Sequence, residues 1–194
     1  MSSQPSTGTG ELSAAERAFY SRQLILPEMG YEAQLALKRA RVVVLGAGGL
    51  GAPALLYLAG AGVGQIVVVD DDVVDASNLH RQVIHTHARV GNSKAESAAE
   101  SLRSLNPFIE VVPVRERLTE ANVDDLLSGA DLVLDGSDNF ESRYMVSAAA
   151  ARAGIAHVWA AILGFDAQLS VFWAGHGPVY EDLYPHAPAA GSVP

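Results

Sequence analysis

Short apolar runs alternate with longer amphipathic stretches over most of the chain. The runs are rich in valine and isoleucine, whereas the stretches between them repeat apolar residues with a helical period. Runs that are apolar throughout are typical of strands buried on both faces of a parallel sheet. The predicted strands are 41–45, 66–70, 109–114, 131–135, 156–161 and 167–175, and the predicted helices between them are 50–62, 92–105, 119–128 and 140–154.

This alternation predicts an α/β fold with a doubly wound, mostly parallel, Rossmann-like sheet and helices on both faces. The last strand, 167–175, alternates apolar and polar residues, which predicts an antiparallel edge. Ahead of the first strand, Ser13 and Glu16 have the spacing of a capping box. We therefore expect an N-terminal helical extension, with one helix continuing through 14–25 and a short one near 31–40.

The two ends of the chain differ from the alternating region. Residues 1–12 are small, polar and rich in turn formers, which predicts a disordered leader. Residues 176–194 contain several prolines and glycines and no periodicity, so we expect an irregular crossover tail in a chain that is cut short. Residues 13–175 are then expected to form a single domain.

Composition and charge exclude several classes of function. The chain has 194 residues with 13 Lys and Arg against 22 Asp and Glu, a net charge of −9, so binding to nucleic acid or to an acidic membrane is not expected. The absence of cysteine excludes disulfides, thiolate metal sites and cysteine nucleophiles. With no apolar run of membrane-spanning length and no signal-peptide pattern, a cytoplasmic protein is expected.

A glycine-rich turn after the first strand predicts a phosphate site. Gly46, Gly48 and Gly51 fit G-x-G-x-x-G between a strand and a helix, where backbone N–H groups and the helix N-terminus attract phosphate. Asp70 follows the second strand and could accept hydrogen bonds from the ribose of NAD or of ATP. These residues alone do not separate the two nucleotides.

Cations after the second strand favour ATP. Arg81 and Gln82 end the segment DASNLHRQ, and Lys94 follows at the start of the next predicted helix. A dinucleotide needs little cationic help, whereas a triphosphate carries more charge and is usually bound by arginine and lysine. Arg81 and Lys94, with Asn78 nearby, therefore favour a triphosphate in a chain that is otherwise acidic.

A candidate metal ligand follows the fourth strand. The segment LDGSDN places Asp138 and Asn139 just beyond the strand end, and Mg²⁺ binds through one or two carboxylates together with substrate phosphates. Alternatively, Ser137, Asp138 or Asn139 caps the next helix. The two roles are compatible, and we favour Asp138 as the ligand.

Other polar and aromatic residues have no motif that indicates a site. His85 and His87 lack a third residue spaced to complete a metal site, so we expect them at the surface. Trp159, Phe172 and Trp173 lie in strand patterns and are expected in the core.

These motifs, in this order, resemble the ThiF/MoeB/HesA family, bacterial relatives of ubiquitin-activating enzymes. The resemblance rests on YSRQLILPEMG, the glycine turn, SNLHRQ, the lysine after VG and the DN pair, and it covers about residues 16–185. It implies that 13–175 is an ATP-binding adenylation domain. The implied activity is ATP-dependent adenylation of the C-terminal Gly-Gly carboxylate of a small ubiquitin-like sulfur carrier, for molybdopterin or thiamine biosynthesis, with release of pyrophosphate.

The resemblance also implies roles for individual residues. Asp138 would bind Mg²⁺, and Arg22 would reach the γ-phosphate of ATP in the partner subunit of a homodimer. The implied catalytic residues are Arg22, Arg81, Lys94 and Asp138. The implied nucleotide-binding residues are Gly46, Gly48, Gly49, Gly51, Asp70, Ser77, Asn78, Leu79, His80, Arg81, Gln82, Lys94, Asp138 and Asn139.

The sequence departs from the family in two ways, since it lacks the zinc motif and is expected to stop before the downstream cysteine segment of many members. Many members carry paired CxxC motifs for zinc, but here Val179 and Asp182 stand where the first cysteines would be, so no zinc site is expected. One alternative is an adenylating enzyme with another substrate, such as a tRNA-base cyclodehydratase or a peptide modifier. The others are an NAD-dependent oxidoreductase, which would leave Arg81 and Lys94 unexplained, and a non-catalytic nucleotide-binding module.

Overall fold

Strands and helices alternate from Arg41 onward in the computed structural model, which describes residues 10–187. The strands are β1 (Arg41–Leu45), β2 (Gln65–Val69), β3 (Glu110–Val114), β4 (Leu132–Asp135), β5 (Ala156–Leu163) and β6 (Asp166–Phe172). The helices are α1 (Ala14–Phe19), α2 (Ser21–Leu24), α3 (Gly30–Arg39), α4 (Gly51–Ala61), α5 (Lys94–Leu105), α6 (Val123–Leu127), α7 (Phe140–Ala153) and α8 (Tyr180–Leu183). None of the helices within 10–187 has the length and apolar character to cross a bilayer.

The six strands form one sheet in the order β3-β2-β1-β4-β5-β6. Strands β1 to β5 are parallel to their neighbours, and β6 pairs with β5 in antiparallel register. The predicted doubly wound sheet with an antiparallel edge is therefore confirmed. Because the strand order reverses between β1 and β4, a crevice opens beyond the carboxyl ends of these two strands.

Apolar clusters cover both faces of the sheet. Val42 and Val44 of β1 belong to a cluster with α4 and α5, whereas Val43 and Leu45 face the opposite way and belong to a cluster with α6 and α7. All four side chains are buried. The continuous apolar sequence of β1 is thus explained by burial of alternate residues on two faces.

The N-terminal extension is present, but its first helix is interrupted. Ser13 and Glu16 form the predicted capping box, each accepting a hydrogen bond from the backbone of the other. The helix stops at Tyr20, which is buried and whose hydroxyl accepts a hydrogen bond from Asn106 Nδ2 at 2.8 Å. Leu12 is also buried, so the predicted disordered leader is wrong at its last residue. Residues 1–9 of that leader lie outside the described residues.

The segment after β6 is more ordered than its composition indicates. Helix α8 forms one turn, and Tyr180 at its start is fully buried against Trp159 and Phe172. The prediction of an irregular segment is therefore wrong for 180–183, because aromatic packing stabilises a turn too short to show periodicity. Trp173 was expected in the core but is 40% exposed and stacks on His176. Residues 188–194 lie outside the described part of the chain.

Two helices begin two or more residues later than predicted. Helix α5 starts at Lys94 because Ser93 Oγ caps it by accepting a hydrogen bond from the Glu96 backbone. Helix α6 starts at Val123 because the preceding residues form a turn, in which the N–H of Thr119 donates to the side chain of Asn122 at 2.8 Å. In both cases a local side-chain hydrogen bond sets the boundary.

Candidate active site

A cleft of about 960 Å³ opens beyond the carboxyl ends of β1, β2 and β4. It occupies the point of strand-order reversal, where doubly wound sheets bind their ligands, and its volume suits a nucleotide. Of the residues expected to bind nucleotide, those on its wall are Gly46, Gly48, Gly49, Asp70, Arg81, Gln82, Lys94, Asp138 and Asn139.

Two glycine turns form the floor of the cleft. Gly46 has a φ of 85°, a conformation that favours glycine, and a Cβ on Gly51 would lie 1.8 Å from the carbonyl oxygen of Gly46. Gly51 thus shapes the turn and does not line the cleft. Gly136, after β4, donates its N–H to the carbonyl of Leu45 at 3.0 Å and lies against Gly46. The floor therefore consists of backbone from two adjacent turns.

The carboxylate of Asp70 joins the end of β2 to the first glycine turn. Its Oδ2 accepts a hydrogen bond from the N–H of Ala47 at 2.7 Å, and its Oδ1 accepts one from the N–H of Asp72 at 2.9 Å. These bonds fix the carboxylate on the cleft wall, while each oxygen keeps a lone pair. Asp70 can therefore accept a ribose hydroxyl and hold the turn at the same time.

Arg81 lies over the glycine turn. Its side chain packs against Gly49 and its Nη2 donates to the Oδ1 of Asn78 at 2.9 Å. Asp75 organises the segment that precedes Arg81. Its carboxylate accepts hydrogen bonds from the N–H and the hydroxyl of Ser77. These two bonds hold the pKa of Asp75 below its ordinary value. These local bonds direct the guanidinium towards the cleft.

The structure does not bring every residue of this segment to the cleft. Ser77, Asn78, Leu79 and His80 are absent from its wall. Asn78 acts on Arg81, and the ring of His80 lies 3.3 Å from the Arg81 guanidinium. Direct contact of these four residues with nucleotide stays a prediction.

Lys94 is a buried cation at the start of α5. It is 6% exposed, and its Nζ lies 2.8 Å from Oδ2 of Asp72. A lysine at a helix N-terminus opposes the helix dipole, and burial adds a desolvation cost. Asp72 offsets both costs, and Lys94 lines the cleft.

Asn139 and Asp138 divide the two roles that the sequence left open. Asn139 caps α7, accepting a hydrogen bond from the N–H of Ser142 at 2.9 Å. Asp138 is exposed on the cleft wall. Behind it, the buried carboxylate of Asp135 accepts a hydrogen bond from the N–H of Ser137 at 2.9 Å and lies 3.1 Å from the ring of His157. The cap leaves the carboxylate of Asp138 available for a cation.

His85, expected at the surface, is buried beneath the glycine turn. Its Nε2 lies 3.0 Å from the carbonyl oxygen of Ala47, and its Nδ1 lies 2.9 Å from the hydroxyl of Ser97. A carbonyl only accepts, so Nε2–H donates to Ala47 and Nδ1 accepts from Ser97 in the neutral ring. The sequence gives no signal for this contact, because 38 residues separate His85 from Ala47.

The burial of His85 predicts a loss of stability in mild acid. Burial lowers the pKa of His85 below its ordinary value of 6.5, although the hydrogen bond to Ala47 opposes the shift. This histidine then binds a proton more readily in the unfolded chain than in the folded protein. The contribution of neutral His85 to the free energy of unfolding is therefore complete above pH 6.5 and decreases as the pH falls below it. Urea unfolding at pH 7.5 and pH 5.5 should show a smaller acid-induced loss for His85→Asn than for the wild type.

The neighbouring His87 provides the control for this measurement. It is exposed, so His87→Asn should keep the acid-induced loss of the wild type. An equal loss in His85→Asn and the wild type would show that other groups cause the acid sensitivity.

The cleft includes residues that the sequence interpretation did not assign. Glu116, Arg117 and Leu118 follow β3, Arg143 lies on α7, and Ile162, Leu163, Asp166 and Gln168 come from the β5–β6 hairpin. The strand-end rule applied to β3 could have found the first three, because parallel strands end at the same edge. The hairpin residues carry no motif.

Arg22 lies on α2, is exposed and is not part of the cleft wall. The exposed apolar side chains of Ile25 and Leu26 follow it. Within this single chain the structure therefore does not bring Arg22 together with the other predicted catalytic residues.

Comparison with known proteins identifies relatives over most of the chain. The ThiF family model matches residues 20–194. The probable adenylyltransferase/sulfurtransferase MoeZ of Mycobacterium tuberculosis is 55% identical over 187 residues, which cover 94% of this chain and 48% of that protein. The SAMP-activating enzyme E1 of Haloferax volcanii is 49% identical over 186 residues, 96% of this chain and 68% of that protein.

A solved structure is also similar to this chain. The crystal structure of Escherichia coli MccB with ATP has a TM-score of 0.72 and 28% identity, covering 76% of this chain and 45% of that one. This chain spans about half the length of MoeZ. The family model covers nearly the whole sequence, and the identities are high. The chain therefore belongs to the ThiF family.

Proposed function

We propose that residues 13–175 form an ATP-dependent adenylation domain that activates the C-terminal Gly-Gly carboxylate of a ubiquitin-like sulfur carrier. One observation carries the proposal: the cleft combines a glycine turn, the cations Arg81 and Lys94 and the exposed carboxylate of Asp138. Such a set suits a triphosphate with its metal better than a dinucleotide. The names of the relatives, which include adenylyltransferases and a SAMP-activating enzyme, support the same conclusion.

Each wall residue has a distinct part in nucleotide binding. Backbone N–H groups of the glycine turn and the N-terminus of α4 would approach phosphate oxygens, and Asp70 would hold the ribose hydroxyls. Arg81 and Lys94 would offset the phosphate charge. Because Asp72 already pairs with Lys94 at 2.8 Å, phosphate binding would replace or share this contact.

The reaction requires no general base. The attacking carboxylate is already ionised at neutral pH, so its oxygen can attack the α-phosphorus directly. The new acyl–phosphate bond forms as the α–β phosphoanhydride bond breaks, and the leaving pyrophosphate carries away the electron pair. Repulsion between the carboxylate and the triphosphate is the main obstacle, and fixed cations such as Arg81 and Lys94 lower it.

Asp138 fits a Mg²⁺ ion that is shared with ATP. Within residues 10–187 its carboxylate forms no ion pair, and its exposed position leaves the oxygens accessible. Carboxylate and phosphate oxygens are the ligands that Mg²⁺ prefers. Since no group of three or more metal-binding side chains is found over this same range, phosphates would complete the coordination shell. The bound ion would neutralise charge on the phosphates.

A homodimer would complete the site. Arg22 is exposed beside the apolar residues Ile25 and Leu26 and does not reach the cleft of its own chain. We infer that it contacts the γ-phosphate of ATP in a partner subunit. The exposed apolar residues provide surface for such an interface.

Binding and exchange measurements test the proposed function. In titration calorimetry, ATP with Mg²⁺ should bind and NAD should not, because Arg81, Lys94 and Asp138 serve a triphosphate. In the presence of a Gly-Gly-ended carrier, the protein should then incorporate radiolabelled pyrophosphate into ATP, since acyl-adenylate formation is reversible.

The outcomes separate the alternative functions. Binding of NAD in place of ATP would indicate an oxidoreductase. Binding of ATP without exchange by any Gly-Gly-ended carrier would contradict the proposed substrate. That result would favour either an adenylating enzyme for another substrate or a non-catalytic nucleotide-binding module.

A further inference from the structure

A buried cation without a carboxylate partner lies at one side of the cleft. Arg143 of α7 lines the cleft and is 9% exposed. Across the described range 10–187 it forms no salt bridge. Its Nη2 donates only a long hydrogen bond to the carbonyl of Ser137, at 3.4 Å, among the backbone acceptors of the described residues. A buried guanidinium is costly unless a partner offsets its charge.

Aromatic rings hold this guanidinium in place. Its central carbon lies 4.7 Å from the ring centre of Phe140 and 5.6 Å from that of Trp159. Cation–π contacts of this kind stabilise the charge through the ring faces. They provide no acceptor in the plane of the guanidinium, and Nε–H, which has no partner among the described residues, stays available for a ligand.

Two polar atoms on this side of the cleft also lack partners. Among the described residues, Nε of Arg143 and Oγ of Ser137 have no hydrogen-bond partner, and both residues line the cleft. Behind them, burial raises the pKa of Tyr180, although a hydrogen bond with Arg143 and its charge oppose the rise. Nε and Oγ can both donate. Because buried donors without acceptors are rare in folded proteins, these two atoms indicate an anionic ligand or ordered water in the cleft.

We propose that Arg143 and Ser137 form the subsite for the carboxylate of the acyl substrate. This inference rests on the adenylation proposed above. Both residues line the cleft, and Ser137 adjoins Asp138, so a carboxylate bound here would lie beside the metal-binding end of the nucleotide. A planar guanidinium binds a carboxylate through two parallel hydrogen bonds. The cations Arg81 and Lys94 remain for the phosphates.

A hexapeptide ending in Gly-Gly, made as the free acid and as the C-terminal amide, tests the subsite without catalysis. Wild-type protein should bind the acid more tightly than the amide, by on the order of 10- to 100-fold in titration calorimetry. Arg143→Gln should lose this preference, and Arg143→Lys should keep part of it through its charge. Arg152→Gln removes an exposed arginine on the same helix, outside the cleft, and should keep the full preference.

Two results would overturn the proposal. The first is equal binding of acid and amide by the wild type, and the second is an undiminished preference in Arg143→Gln. If that variant keeps the preference and loses ATP affinity, Arg143 is a phosphate ligand instead. If Arg143→Gln does not fold, the wild type and Arg143→Lys decide the question. Failure of the proposed function is a different result, namely no ATP binding or no exchange by the wild type.

Discussion

Replacement of Arg81 by alanine is expected to reduce carrier-dependent pyrophosphate exchange by about 10²- to 10³-fold, the usual cost of removing one preorganised group that stabilises transition-state charge. The guanidinium packs over Gly49 on the cleft wall. There it can offset phosphate charge as the carboxylate attacks. Incorporation of radiolabelled pyrophosphate into ATP measures the effect.

The matched control is Arg39→Ala, which removes an exposed arginine at the end of α3, outside the cleft. It should exchange at the wild-type rate. Within residues 10–187, the side-chain hydrogen bonds of Arg81 involve Asn78 and His80 alone, and all three residues belong to one local segment, so Arg81→Ala should unfold at the wild-type temperature. Full exchange activity in Arg81→Ala would contradict its assignment to the phosphates.

Replacement of Gly51 by alanine is expected to lower the free energy of unfolding by about 3 kcal/mol or more. The added Cβ would lie 1.8 Å from the carbonyl oxygen of Gly46 and 2.9 Å from its carbon. Both are backbone atoms of the turn below β1, so no side-chain rotation relieves the overlap. Urea unfolding monitored by circular dichroism measures the loss.

Gly60→Ala tests whether the loss of stability is specific to position 51 or follows from replacing any glycine of α4 by alanine. Gly60 lies on the same helix, and a Cβ there would meet nothing within 4 Å. Alanine has the higher helix propensity, so this variant should be as stable as the wild type or more stable by up to about 1 kcal/mol. Equal destabilisation by the two substitutions would mean that the close approach of Gly51 to Gly46 is not the cause of the loss of stability.

The sheet could be predicted because its strands are short, apolar and regularly spaced. Strand β1 matches its predicted bounds, Arg41–Leu45, and the alternating residues of β6 correspond to the antiparallel edge. The break at Tyr20 and the turn at Tyr180 could not be predicted in this way. Both depend on aromatic side chains that pack against residues distant in sequence, and local periodicity carries no information about such contacts.

The candidate site could be predicted where its residues directly follow strands. Asp70 and Asp138 lie on the cleft wall for this reason, since parallel strands end at a common edge. The places of Arg143 and His85 in the site could not be predicted, because both depend on burial in the folded protein. Neither adjoins a strand end in sequence, and the partners that define their surroundings are other side chains or a distant carbonyl.

The backbone floor formed by Gly46 and Gly136 has a consequence for how this domain can diversify. A Cβ at either position would lie 3.3 Å from a backbone oxygen of the neighbouring segment, and Gly46 has a φ of 85° that side chains disfavour. Substitution at the base of the cleft is therefore unfavourable. The walls, in contrast, carry side chains from α7 and the β5–β6 hairpin that can change one at a time. Under the proposed function, a new acyl substrate could thus be acquired through wall substitutions, while the same nucleotide chemistry is retained.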